Sequence, residues 1–254
     1  MPAASLANRA PCRYEAPDAG MKPARLIAIA ALASALVVAA CGSTAVPTGA
    51  LGPCGADKAD ATSIGGFPEL EALVPRSLDG TAPNVVNSGR SCSDKALGTL
   101  TSHAVHELRY AGATWDQGQS DATVVAVLAT PSDQPALEAA WIEEFYTAGA
   151  VAGSKTDNVT TTRPTIDPVG QVFRIDALND LSLQTVVTWK DKDLIHVVIV
   201  ATQVDPNASR ADHDARVLAA VAIAGGTPSA SGAPASGAPA SGPPAPTAPS
   251  SSAP

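Results

Sequence analysis

Cations are scarce and scattered in this chain of 254 residues: 16 Lys and Arg stand against 24 Asp and Glu, and no stretch gathers them. Phosphate backbones are bound by clustered cations, so the charge argues against a nucleic-acid partner and against electrostatic adhesion to anionic headgroups. The sequence also lacks an apolar run long enough to stay in a bilayer. Its longest, Leu26 to Ala40, would extend about 22 Å as a helix, short of the roughly 30 Å hydrocarbon core. No G-x-S-x-G elbow is present, and no S-x-x-K with its partner motifs, so the familiar serine nucleophiles have no warrant. Nor is there a G-x-x-x-x-G-K-[ST] loop or a G-x-G-x-x-G turn to cradle a phosphate. The four cysteines, Cys12, Cys41, Cys54 and Cys92, include no C-x-x-C pair, which leaves a zinc site without its usual ligands. No metal or cofactor is expected.

What the sequence does have begins at Met21. Lys22 and Arg25 form a short positive region, Leu26 to Ala40 follows as small and aliphatic residues, and Val38-Ala39-Ala40 offers a small-residue cleavage site. Residues 21–40 therefore read as a secretory signal. The run Val38-Ala39-Ala40-Cys41, followed by Gly42-Ser43-Thr44, resembles the lipobox of bacterial lipoproteins. The resemblance implies that the Cys41 thiol takes a diacylglyceryl group and becomes the new N-terminus. It further implies a protein held by acyl chains to the extracytoplasmic face of the cell membrane, since two or three chains anchor durably where one does not.

Residues 1–20 have no apolar periodicity and precede the charged region where a signal normally starts, so they read as an extension upstream of Met21, with an unusually long leader as the alternative. Without the first forty residues the net charge is 12 − 22 = −10. Residues 41–62 are small, polar and Gly/Pro-punctuated, which predicts a flexible tether with a reach of roughly 25 Å. Cys54 and Cys92 are the cysteines left over, and an extracytoplasmic compartment permits them to pair. That bond would close a loop of 92 − 54 = 38 residues, for about 4 kcal/mol in the chain-entropy view.

Residues 63–225 are enough for one domain with a real core. A short helical turn at Glu69 to Pro75 and a strand at Asn84 to Asn87 come first. A helix is then predicted from Ser93 or Asp94 to Tyr110, burying Leu97, Leu100, Ala104 and Leu108. Strands follow at Ala113 to Gln119 and Ala122 to Thr130. Ser132-Asp133 with Pro135 predicts a helix start, with Leu137, Trp141, Ile142 and Phe145 inward and an end at Gly149. Four strands are expected at Asn158 to Thr162, Gln171 to Ala177, Leu183 to Lys190 and Asp193 to Thr202, the last two as a tight hairpin at a sheet centre covered on both sides, or on one side plus a partner. Ser209-x-x-Asp212 resembles a capping box for a last helix whose buried face would be Ala215, Leu218 and Ala222. The order predicts an α+β two-layer sandwich: a mostly antiparallel sheet with about three helices packed on it. Residues 226–254, rich in Pro, Ala, Ser and Gly and without charge, predict a disordered tail of polyproline II character.

The histidines were the remaining candidates for chemistry. His103 and His106 lie three apart beside Glu107, but a zinc-protease helix needs H-E-x-x-H, and both should sit off the buried face as solvated residues. His196 reads as a core or sheet-face histidine. His213, between Asp212 and Asp214 in a helix's first turn, reads as a dipole-complemented residue or a weak cation ligand. Glu143-Glu144 reads as a solvated rim. Leu70-Glu71-Ala72-Leu73-Val74-Pro75 with Asp79-Gly80 is faintly similar to small α+β lipoproteins of unknown function from high-GC bacteria, which implies no activity. The expected role is a non-catalytic ligand- or protein-binding domain of the cell envelope, with a cell-wall polymer or an envelope protein as candidate partner. The alternative is an envelope hydrolase whose site is assembled from dispersed residues.

Overall fold

The computed structural model describes residues 47–118, 121–153, 158–178, 182–204 and 210–226. The signal segment, Cys12, Cys41, the capping residue Ser209 and the tail beyond Gly226 lie outside them. In chain order the elements are β1 (Ala61–Ser63), α1 (Pro68–Glu71), β2 (Val85–Ser91), α2 (Asp94–Leu97) continued by a 3-10 turn (Gly98–His103), β3 (Leu108–Gly118), β4 (Asp121–Ala129) and α3 (Ala139–Ala152). Then come β5 (Thr160–Thr162), β6 (Thr165–Ile166), β7 (Gly170–Gln171), β8 (Phe173–Leu178), β9 (Ser182–Asp191), β10 (Leu194–Gln203) and α4 (Arg210–Gly225).

The chain is α+β, as its element order predicts. Eight strands form one sheet in the order β1-β2-β3-β4-β10-β9-β8-β5, with every pairing antiparallel. The strict two-residue alternation of strand side chains divides its apolar residues between two faces. On one face Leu108, Tyr110, Val124, Ala126, Leu128, Ile195, Val197 and Ile199 pack with Ile142, Tyr146 and Ala150 of α3. On the other, Val125, Val127, Val187, Val198 and Val200 pack with Val217, Ala220 and Val221 of α4 and with Phe67, Leu70 and Val74 around α1. The nearly unbroken apolar runs of β4 and β10 follow from this cover on both sides. The β9–β10 hairpin forms as expected through Lys192-Asp193, with Lys192 at φ +55°.

Three expectations are corrected. The single helix expected from Ser93 to Tyr110 is one α-turn and one 3-10 turn. Ser93 does cap it, accepting from the Ala96 N–H at 3.1 Å, but Gly98 at φ +52° breaks it after one turn and Ala104 at φ +59° ends the second. Leu108 is buried as a strand residue instead, paired with Ser91 of β2. The helix expected from Ser132 starts at Ala139, because residues 131–134 make a turn in which Gln134 N–H bonds to Pro131 C=O at 3.0 Å. It runs past Gly149 to Ala152, and its inward stripe is Ile142, Tyr146 and Ala150, with Trp141 and Phe145 half-buried at the margin. In α4 the buried face is His213, Val217, Ala220 and Val221, whereas Leu218 is 48% exposed and Ala215 and Ala222 face water.

The segment expected to be a tether is also folded where it is described. From Pro47 it runs beside the end of β1: Ile64 N–H donates to Pro47 C=O at 2.9 Å, and Leu51 N–H donates to Gly66 C=O at 2.9 Å. β1 then adds itself to the edge of β2.

Candidate functional site

Cys54 and Cys92 are joined by a disulfide, with Cα atoms 5.7 Å apart across a sequence separation of 38. The strap that carries Cys54 is positioned by two acids, Glu107 buried and Asp60 at the surface. Glu107 at the start of β3, 3% exposed, accepts the Cys54 N–H at 2.7 Å and the Arg109 Nε–H at 2.6 Å. Asp60 accepts the Cys92 N–H at 2.6 Å, the Ser93 N–H at 2.9 Å and the Ser93 hydroxyl at 2.7 Å. Burial raises the Asp60 pKa, but those three donors outweigh it and hold the carboxyl below its ordinary value.

The structure separates the four histidines. His106 is exposed, as expected. His103 is not simply solvated: it ends the 3-10 turn, stacks on Trp141 with ring centroids 4.6 Å apart and planes 8° from parallel, and meets Glu144 Oε2 through Nε2 at 3.0 Å. The rim residue Glu144 therefore has a partner, and Glu143 pairs with Arg163. His196 is a sheet-face residue stacked on its cross-strand partner Trp189, with centroids 5.1 Å apart. Burial lowers its pKa, and Asp191 opposes that. Among the described residues no three His, Cys, Asp or Glu side chains gather as a metal site.

His213 departs furthest from expectation, since at 2% exposure it is a core residue and not a weak cation ligand at a helix end. It is the centre of a polar network between α4 and three strands. Thr185 of β9 gives its hydroxyl proton to Asp176 Oδ1 at 2.6 Å. Its oxygen must then accept from His213 Nε2 at 2.7 Å, which fixes the proton on that nitrogen. Nδ1 is left as an acceptor, and the Thr202 hydroxyl of β10 meets it at 2.8 Å. Asp176 also receives Arg174 Nε and Nη2, both at 2.8 Å, and Arg210 Nη2 at 2.9 Å, while Arg174 Nη2 reaches Asp214 as well. Burial works against the Asp176 carboxylate, but the Arg174 and Thr185 bonds and the charges of Arg174 and Arg210 hold its pKa below the usual range. Burial, then the Arg210 charge, pushes the His213 pKa down, against Asp214 and Asp176.

Both ring nitrogens of His213 are therefore committed, and the neutral ring ties α4 to β9 and β10. This arrangement positions a helix; it does not present a base to a substrate. Sequence reasoning missed Asp176, Thr185 and Thr202 because they are far apart in the chain. The available signal was weak: threonines beside the apolar runs of β9 and β10, and His213, Val217, Ala220 and Val221 at i, i+4, i+7 and i+8.

A pH dependence follows. A histidine whose folded pKa is lowered adds stability that is complete above its unfolded value of about 6.5 and is lost as pH falls below it, down to the folded pKa. The slope approaches about 1.4 kcal/mol per pH unit for each such group. His213 and His196 both qualify. Urea titrations between pH 7.5 and 5 should show this acid loss in the wild type, and His213→Gln, whose amide can donate and accept like the neutral ring, should flatten it by about half. An unchanged slope in the variant would contradict the network.

Comparison with protein families, with characterised proteins and with solved structures finds no match for this chain.

Proposed function

We propose that this chain is a lipid-anchored protein of the extracytoplasmic face of the cell membrane, its α+β domain serving as a non-catalytic module that binds a cell-wall polymer or an envelope protein. The observation that carries this reading is the Cys54–Cys92 disulfide, because such bonds persist in oxidising, extracytoplasmic compartments. It lies downstream of a charged, apolar and small-residue leader that ends on Cys41. Among the described residues no helix is long and apolar enough to cross a membrane, so acyl chains on Cys41 would supply the attachment. A binding role rather than a hydrolytic one is supported by His213, whose two ring nitrogens are both engaged by neighbouring side chains, and by His103, whose Nε2 meets Glu144.

The test is the mass of the membrane-extracted protein together with labelling by palmitate. The expected mass is that of residues 41–254 plus acyl groups, heavier by a pair of hydrogens after reduction. Cys41→Ala should abolish the label and move the protein out of the membrane fraction. Retention of residues before Cys41, or label that survives the substitution, would refute the anchor. For the binding role, purified protein should retain a specific ligand from envelope extracts, and failure to retain any would count against it.

A further inference from the structure

Residues 47–63 form a strap across the open edge of β2. Between Pro47 and Asp60 only Leu51 and Cys54 are even half-buried and the others face water; at its end, in β1, Ala61 and Thr62 are half-buried and Ser63 is buried. Leu51 is its one contribution to the apolar core. Its other attachments are polar: the three-residue ladder of β1 on β2, the backbone bonds of Pro47 and Gly49 with Ile64 and of Leu51 with Gly66, and side-chain bonds of which none is fully buried, namely Cys54 N–H to Glu107, Asp60 to the Cys92 and Ser93 amides, Thr62 Oγ1 with Tyr110 Oη at 2.8 Å, Lys58 with Asp94 at 2.8 Å, and Arg90 to the Gly52 carbonyl. Bonds of this kind exchange with water at little net gain, while ordering a Gly- and Ala-rich segment costs entropy at every residue. The single covalent attachment is the disulfide.

The two cysteines of that bond are unequally exposed. Cys92 is 1% exposed at the end of β2, whereas Cys54 sits half-buried on the strap. The buried residues that the strap meets include polar ones, Ser88 at 0% exposure opposite Ser63 and Glu107 at 3% beneath Cys54. Lifting the strap would thus wet mainly polar groups, taking only Leu51 from one apolar cluster and the Thr62 partner from the Tyr110 hydroxyl of the other.

We propose that Cys54–Cys92 is a redox latch that holds residues 47–63 on β2 when oxidised and releases them when reduced by a protein dithiol. The donor's thiolate attacks Cys54 Sγ, the Sγ–Sγ bond breaks, and Cys92 leaves as a thiolate that takes up a proton. The donor's second thiol then displaces Cys54 from the mixed disulfide. Two electrons and two protons have passed to the chain, and the donor is left as a disulfide. Asp60 then withdraws from the Cys92 and Ser93 amides, Glu107 keeps only Arg109, and β2 becomes the free edge. The latch rests on the disulfide alone and not on lipidation at Cys41.

Hydrogen exchange of the full chain before and after dithiothreitol tests it. The amides of Gly49, Leu51, Cys54, Ile64, Cys92 and Ser93 should exchange at least about tenfold faster after reduction, while those of β4 and β10 stay within about twofold. The double substitution C54S/C92S should show the same local pattern without reductant. Incubation with a reduced protein dithiol should yield free thiols at both positions. Strap amides that keep their protection, acceleration of β4 and β10 as well, or a disulfide that resists the protein dithiol would each overturn the latch.

Discussion

Asp176→Ala is expected to lower the unfolding free energy by about 3 kcal/mol, at the lower end of the range for removing one partner of a buried ion pair. Asp176 is 8% exposed and accepts from Arg174 twice, from Arg210 and from Thr185. Without it the Arg174 guanidinium, 14% exposed, keeps only Asp214 among the described residues. The Thr185 hydroxyl loses its acceptor and is free to turn its proton toward His213, so the tautomer of the ring is no longer fixed. Asp214 is 38% exposed and can follow Arg174, which is why the loss should not reach the upper end. Arg210→Ala, by contrast, should cost less than about 1 kcal/mol, because that side chain is 51% exposed and its pairing is screened. Urea denaturation at pH 7 measures both, and equal losses would contradict this account. The pH sign is opposite in origin to that of a basic group yet has the same direction. A carboxyl with a depressed folded pKa adds stability above its unfolded value, near 3.9, and loses it as pH falls through the folded one. The difference between wild type and Asp176→Ala should therefore narrow in strong acid.

Much of the sheet was legible because its strands are written in the two signals that sequence carries best. Val-rich runs such as ATVVAVLAT and LIHVVIV bury both faces, and the short polar turn at Lys192-Asp193 leaves one way to join β9 to β10. The disulfide was legible from the compartment that the leader implies and from the few cysteines available to pair. Helix boundaries were not. Leu97, Leu100, Ala104 and Leu108 keep a helical spacing, but three of the four are buried by a turn, a 3-10 turn and a strand in succession, and Ala104 is exposed. The backbone conformation of Gly98 decides this locally, and the demand of β2 and β4 for Tyr110 as a partner decides it from a distance. In α4 two stripes compete at helical spacing, and the longer one, which begins at a histidine, is the buried one. A pattern reading that scores only apolar residues gives that position to the surface. The threonines that satisfy His213 come from strands 28 and 11 residues away in sequence, a pairing that no local rule can express. The tether failed for a related reason: residues 47–62 lack apolar periodicity because they are held by backbone bonds, two carboxylates and one covalent link rather than by burial.

Leu128→Ala tests the same division between buried and merely apolar. Leu128 is fully buried in β4 and stands opposite Tyr110 of β3 on one side and Ile195 of β10 on the other. Those neighbouring strands are pinned by ladders of their own, so the backbone cannot close over the vacated space, and α3 packs above it through Ile142 and Tyr146. The loss of transfer free energy then adds to that of the cavity, for about 3 to 4 kcal/mol. Leu218→Ala deletes the same atoms from α4 at a position 48% exposed, and should change stability by less than about 0.5 kcal/mol. Thermal or urea unfolding of the two variants side by side decides the matter. Comparable losses would mean that α4 is turned the other way on the sheet, with Leu218 inward, and His213 could then not reach both Thr185 and Thr202.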